Sequence, residues 1–420
     1  MRLKTGLTLA ASVAITLTLP PAACGADADG DALALQTPTE MTGDTFSGAK
    51  FFLETGFGRG QRRYLDGHDQ LRRVSADFVY STRLDAQWRF VLSDRVDAID
   101  PHRGASTINS LRELYAGWQD GGATWVVDIG RINLRQGPAL GFNPTDFFRD
   151  GSVRVSTTVN PLLVREYRMG SVMARVQRLW SDGSFSIATS PKLANGPTDR
   201  GFGVDFGSTN NRDRALLSLS TQWSSNASSQ LHVYKERDGS TQVGASGSGL
   251  LGGATVAYFE TTWGRELALL DRTLGARSKK SAGRVASGVT FTTESKLSIT
   301  GEVEYNGVAL SQSQWNAVAA SQPARLIAYS AEAERRQDIG ARRAVLVYAK
   351  QADVIRNLDA TALVRLNTQD HSSLTWLELR YRLEGFDVAA QWLRYRGAPL
   401  TEFGLSPYKT SIQLLVSAYF

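Results

Sequence analysis

Charged side chains in one irregular stretch are where chemistry is most readily looked for. After the alternating run Trp125-Val126-Val127-Asp128-Ile129-Gly130, no regular pattern returns until about Tyr167, and the intervening residues carry Arg135, Asp146, Arg149, Asp150 and Arg154. Arginine forks can grip carboxylates or phosphates, and carboxylates set opposing fields. A loop of this length and polarity is expected to work rather than merely connect. Asn143-Pro144-Thr145-Asp146 has the residue order of a type I turn that would aim Asp146. Arg135, Asp146, Arg149 and Arg154 are therefore the candidates for contact with a passing solute.

A second set alternates with apolar residues. Glu302 and Glu304 stand opposite in phase to Leu297, Ile299, Val303 and Tyr305; Glu378, Arg380 and Arg382 stand opposite to Leu377, Leu379, Tyr381 and Leu383; Arg89 falls between Trp88 and Phe90. Facing rows of arginine and carboxylate could steer an anion or an acidic sugar, or simply brace a wall. Basic clusters at Arg62, Arg63, Arg72 and Arg73, and at Arg277, Lys279, Lys280 and Arg284, read as solvated surface touching lipid phosphates, with a substrate port as the alternative.

Catalytic patterns are thin. His371-Ser372-Ser373 has the His-x-Ser spacing of outer-membrane lipid hydrolases, but it lacks a Gly-rich context and an orienting third residue. His68, His102 and His232 are scattered, carboxylates show no calcium-loop spacing, and no phosphate-cradling glycine loop precedes a helix. The expectation is no enzyme, no metal and no cofactor. Positive charges spread singly along the chain also argue against nucleic acid.

The elements that hold these residues read as strands. Alternation of period two recurs from Phe46 onward, in Val74 to Tyr80, Ala86 to Leu92 and Lys296 to Asn306 among others. The segments run about ten to thirteen residues, longer than soluble strands and enough to cross a bilayer at a tilt. About eighteen of them are counted (sixteen is the alternative), with an even number expected of a bacterial barrel. The regions 201–208 and 237–252 are ambiguous. Short connections at Leu84-Asp85, Asp120 to Gly122, Ser181-Asp182, Ser225-Asn226, Thr293 to Ser295 and Glu384-Gly385 alternate with long ones near 58–71, 97–108, 134–166, 191–212, 262–281, 307–340 and 397–408. That asymmetry predicts an all-β transmembrane antiparallel barrel with long external loops, 134–166 being the third. Apolar residues would meet lipid, so the polar faces, with Arg89, Glu302, Glu304, Glu378, Arg380 and Arg382, would line the lumen.

The N-terminus reads as an export signal over residues 1–26. Arg2 and Lys4 precede an apolar run from Leu7 to Leu19, too short to span a membrane as a helix, then Pro20-Pro21 and small residues for cleavage near Ala26 or Ala28. Cys24 is the single cysteine, so no internal disulfide exists, and lipidation there is the rival reading. Residues 27–45 read as a short periplasmic lead-in and 46–420 as the barrel. Ile412, Leu414, Val416, Ala418 and Phe420 form one apolar face ending in an aromatic, as in a closing strand read by the barrel assembly machinery.

The run Leu114-Tyr115-Ala116-Gly117-Trp118, then Asp128-Ile129-Gly130-Arg131, Gly137 and Asn143-Pro144-Thr145-Asp146 resembles the strand, Gly-Arg and long-loop passage of bacterial outer-membrane channels of the alginate-export and porin type. The resemblance implies passive transport in the outer membrane, with lipids and lipopolysaccharide around the wall. The expectation is diffusion of small polar or anionic solutes through a lumen narrowed by the third external loop. Export of an acidic polysaccharide is the alternative, and a non-conducting hydrolase or adhesin is a third. Oligomeric state is left open.

Overall fold

The structure is a computed structural model that describes residues 48–420 apart from 100–106, 199, 238 and 277. The export signal, Cys24, the lead-in, His102 and Arg277 lie outside the described residues. The described chain forms one closed sheet of eighteen antiparallel strands. In order they are β1 Gly48–Arg62, β2 His68–Arg83, β3 Trp88–Ile99, β4 Thr107–Gln119, β5 Trp125–Ile132, β6 Ser171–Trp180, β7 Gly183–Ser190, β8 Arg214–Ser224 and β9 Ala227–Glu236. They continue as β10 Gln242–Leu250, β11 Thr255–Glu266, β12 Lys280–Thr292, β13 Leu297–Asn306, β14 Arg343–Ile355, β15 Leu358–Asn367, β16 Ser373–Leu383, β17 Phe386–Arg396 and β18 Tyr408–Tyr419. Each strand pairs with the next, and β18 pairs back to β1 with Leu53 opposite Ala418 and Gly58 opposite Gln413. Closure gives every strand a partner on both sides, as a structure in hydrocarbon requires.

The burial pattern is inverted relative to a soluble protein. Along β13, Ile299, Val303 and Tyr305 are exposed while Thr300, Glu302, Glu304 and Asn306 are buried. Apolar residues such as Phe259, Trp263, Leu379 and Ile412 cover the outside, and ion pairs fill the inside. Such an outer surface is stable only against lipid. No helix among the described residues is long and apolar enough to cross a membrane.

One rim carries tight connections at 84–87, 120–124, 181–182, 225–226, 251–254, 293–296, 356–357 and 384–385; the other carries the nine remaining connections, most of them longer. The expected loop at 58–71 is instead a hairpin with only residues 63–67 outside the strands. Alternation there is masked by Gly56, Gly58 and Gly60, whose missing side chains make room for Leu415, Gln413 and Tyr408 of β18. The ambiguous 237–252 contains β10, and 201–208 is loop with a short helix.

The longer loops hold helices that alternation did not reveal: α1 Pro161–Tyr167 in the third loop (133–170), α2 Phe206–Thr209 in the fourth (191–213), α3 Leu269–Thr273 in the sixth (267–279), and α4 Gln312–Ser321 and α5 Ala324–Arg335 in the seventh (307–342). A capping box between Ser311 and Gln314 starts α4. Trp315, Leu326, Tyr329 and Ala333 then close a small core with Leu269 and Val308.

The lipid-facing assignment predicts that Val303→Arg lowers unfolding stability by about 2–4 kcal/mol, as a charge on the lipid face near mid-bilayer does, whereas Val303→Leu changes little. Denaturant titration in lipid vesicles measures both.

Candidate functional site

The third loop enters the barrel and is fastened far from where it leaves the wall. It departs at Ile132 on β5. Its principal anchors, Glu260 and Glu302, stand on β11 and β13, and β13 lies eight strands round the ring one way and ten the other. Glu260 accepts from the amides of Ala139 (2.7 Å) and Thr145 (3.1 Å), from the Thr145 hydroxyl (2.7 Å) and from Asn143 Nδ2 (3.3 Å). Glu302 accepts from three successive amides, Leu140 at 2.7 Å, Gly141 at 3.0 Å and Phe142 at 2.9 Å, and from the Tyr258 hydroxyl at 2.7 Å. Successive N–H groups converging on an anion form a nest, here filled by a wall carboxylate. Arg365 of β15 adds a bond to the Gly141 carbonyl (2.6 Å) while pairing with Glu304 (2.8 Å). Gly137 is required where it stands: its φ is +80°, and a Cβ would fall on the Glu260 carboxylate.

The loop's own cations secure the rest. Asp146, reached through the turn closed by its amide to the Asn143 carbonyl (3.2 Å), pairs with Arg168 at 2.8 Å. Arg165 donates to the carbonyls of Gln136, Gly137 and Ala139. Arg149 pairs with Asp338 of the seventh loop at 2.6 Å and also binds the Asn143 and Arg336 carbonyls. Asp150 gathers Arg212 of the fourth loop and Arg335 and Arg336 of the seventh, at 2.5 to 2.7 Å. Burial opposes the charge of Asp150, yet Arg336, Arg212 and Arg335 hold its carboxyl well below the usual range. Asp338 is buried likewise and is held down by Arg284, Arg149 and Arg336.

A small recess remains between the returning limb of the loop and the wall of β3 and β4, bordered by Arg95, Asp97, Ser110, Arg154, Tyr167 and Arg168. Arg95 pairs with Asp97 (3.1 Å) and Asp77 (3.6 Å) and lies over the Tyr167 ring at 4.1 Å. Arg112 pairs with Asp77, and Arg73 with Glu54. A row of arginines thus runs along β2, β3 and β4, each balanced by a carboxylate.

The residues singled out from sequence fall in different places. Arg154 borders the recess, bonded to Asp205 (3.2 Å) and to the carbonyls of Asn109, Thr198 and Arg200. Asp146 and Arg149 are buried inside the loop's fastenings. Arg135 is half-buried, its Nε unbonded and Glu113 the carboxylate near it. Arg89 faces inward, paired with Asp128 at 3.0 Å. Glu378 and Arg380 pair at 3.2 Å, and Arg382 pairs with Asp353 at 2.5 Å, all near the tight-turn rim. Of the basic clusters, Arg72 is exposed, Arg73 and Arg284 point inward, and Arg63 binds carbonyls of 395–406. Of the His-x-Ser pair, His371 holds a φ of +57° in a turn that Ser372 braces against Asp370 (2.6 Å), and Ser373 is the first residue of β16.

Arg95, Tyr167 and Arg168 were not singled out from sequence. Arg95 was findable, since Arg89, Ser93, Arg95 and Asp97 share one face of β3 by plain alternation; the bulge opposite Ser93 and Asp94 lies on β4, at Arg112.

Among solved structures the chain is similar to Acinetobacter baumannii OccAB1 (TM-score 0.56, 8% identity, covering 91% of this chain and 99% of that one). It is also similar to OccAB3 of the same organism (0.54, 7%, 89% and 98%) and to Pseudomonas aeruginosa OccK8, also named OprE (0.51, 10%, 89% and 98%). At such identities the likeness concerns the fold alone. No protein-family model matches the chain, and no curated protein matches its sequence.

Two outcomes follow. Glu302→Ala orphans three loop amides, each worth about 1–3 kcal/mol when buried, so the loop should leave the wall and single-channel current should become larger and noisier. Glu402, in the loop 397–407, accepts from the Ala341 amide at 3.2 Å. Burial, with Asp370 beside it, pushes it from 4.5 up to about 7. A carboxyl raised on folding binds a proton more tightly in the folded state, so burial of this loop is most stable below about 4.5 and loses that stability as pH rises through about 7, although the Ala341 bond itself favours the ionised form. Hydrogen exchange at Ala341, corrected for intrinsic rate, should show that loss in the native chain and not in Glu402→Gln.

Proposed function

We propose that this chain is an outer-membrane channel through which small polar or anionic solutes diffuse, narrowed by its inward-folded third external loop. The observation that carries the reading is the fastening of residues 139–145 to Glu260 and Glu302, which holds the third loop across the inside of the barrel with an arginine-bordered recess beside it. A narrowing of this kind selects by size and field, whereas a wall alone would not. The barrel shared with OccAB1, OccAB3 and OccK8 supports the architecture the reading needs.

Within this reading the four loop residues divide their work. Arg135 and Arg154 meet the solute, and Asp146 and Arg149 hold the loop in position. Arg89, Glu302, Glu304, Glu378, Arg380 and Arg382 belong to the lumen wall, where each cation is balanced and the net field is mild. The alginate-export alternative calls for an unobstructed track for a polymer, which a loop bonded to the far wall does not favour. Lipids and lipopolysaccharide are the partners of the outer surface. The assembly machinery is the partner of β18, beyond which Phe420 bonds to Phe51 through the backbone at 2.9 Å. The chemistry is passage, with no bond made or broken.

Planar-bilayer recording tests this. Refolded protein should give steady openings with a reversal potential favouring anions in a salt gradient, and Arg135→Ser should move that potential toward zero while raising conductance. A correctly folded but silent barrel contradicts the reading.

A further inference from the structure

The wall of the barrel is incomplete above β5, and the fourth loop fills the gap. Pairing between β4 and β5 ends at Leu114 opposite Arg131, so residues 107–113 of β4 have no strand on that side. Loop groups take the vacant positions. The Asn109 amide donates to the Gly201 carbonyl at 2.7 Å, and the Asn109 carbonyl accepts from Arg154 at 2.7 Å. The Arg112 carbonyl accepts from the Gly170 amide at 2.8 Å.

Arg131 fixes which side the filling lies on. It is two residues beyond Ile129, which is 61% exposed on the outer surface, and it pairs with Leu114, also outward. Side chains two apart on a strand share a face, so Arg131 points out of the barrel. It is nevertheless only 2% exposed. Its guanidinium donates to the carbonyls of Leu111 and Val204 and lies 5.3 Å from the centre of the Phe206 ring. The fourth loop therefore laps over the outside of the wall and covers an outward arginine. The segment that does so presents Phe202, Val204 and Phe206, all left exposed, at every second position.

We infer that residues 202–206 are a membrane-contact surface, seated on the acyl and headgroup boundary of the external leaflet. The occupant is lipid because the strip continues upward from Leu114 and Ile129 on the lipid-facing wall, and the polar groups beside it are covered or bonded: Arg131 and Asp205 are buried, and Asp94 accepts from Asn109 at 3.1 Å. An exposed apolar strip extending a lipid-facing belt buries itself by following that belt into the bilayer. The inference rests on the outer-membrane reading.

Single-cysteine variants Phe202→Cys, Val204→Cys, Ile129→Cys and Ser313→Cys, each with Cys24→Ser, are labelled with a small fluorophore. They are then placed in phosphatidylcholine vesicles with or without brominated acyl chains. All four positions are exposed, and heat-modifiable gel migration checks each fold. Labels at 202 and 204 should lose fluorescence to bromine as strongly as the label at 129, while the label on α4 at 313 does not. Labels at 202 and 204 as unquenched as that at 313 overturn the inference. Unquenched labels whose unlabelled cysteines form disulfide-linked dimers overturn it too, in favour of a second copy of the chain. Loss of quenching at 129 as well would remove the membrane barrel itself.

Discussion

The rest of the interior depends on an exchange between two groups that are each costly alone. Glu302 is a carboxylate on a wall strand, 1% exposed. The loop segment 139–145 is irregular backbone taken out of bulk water, with amides that no strand can satisfy. A buried charge and a run of unbonded amides would each oppose folding. Brought together, three amides and a tyrosine hydroxyl surround one carboxylate, and Glu260 repeats the arrangement one hairpin away. The loop has a fixed position because leaving it would strand both partners.

From that anchor the remaining contacts follow as a connected set. The limb that returns from the far wall carries Arg149 and Asp150, which join the fourth and seventh loops. Farther on it carries Arg154, which reaches the edge of β4, and Tyr167, which lies under Arg95. Inward arginines are matched almost one to one by carboxylates, so the lumen is polar without being strongly charged. The recess beside the loop follows the same rule, with Arg95 paired to Asp97, Arg154 to Asp205 and Arg168 to Asp146.

Much of the wall was legible because a barrel strand in lipid keeps strict period two, as Lys296 to Asn306 does. Legibility failed where that period was disturbed or replaced. Inward glycines at 56, 58 and 60 removed the contrast between faces, so a strand read as a loop. A bulge at Arg112 shifts the phase of β4, whereas Arg95 and Asp97 keep the inward phase of Arg89 and were readable. Helices within the loops obey a different period; the Ser311 and Gln314 pair was a readable start signal for one of them. The inward direction of Glu302 was readable from its neighbours, but its bonds to Leu140, Gly141 and Phe142 were not. They join positions more than 150 residues apart, and nothing local in either segment specifies the other.

The measurement that bears most directly on this account is backbone hydrogen exchange at Ala139, Leu140, Gly141, Phe142 and Thr145 in the lipid-reconstituted protein. The account predicts slow exchange at all five amides, close to that of strand residues, since each donates to a buried wall carboxylate. Exchange as fast as in the exposed turn at 397–401 would show that the loop is not held across the lumen, and the constriction would go with it.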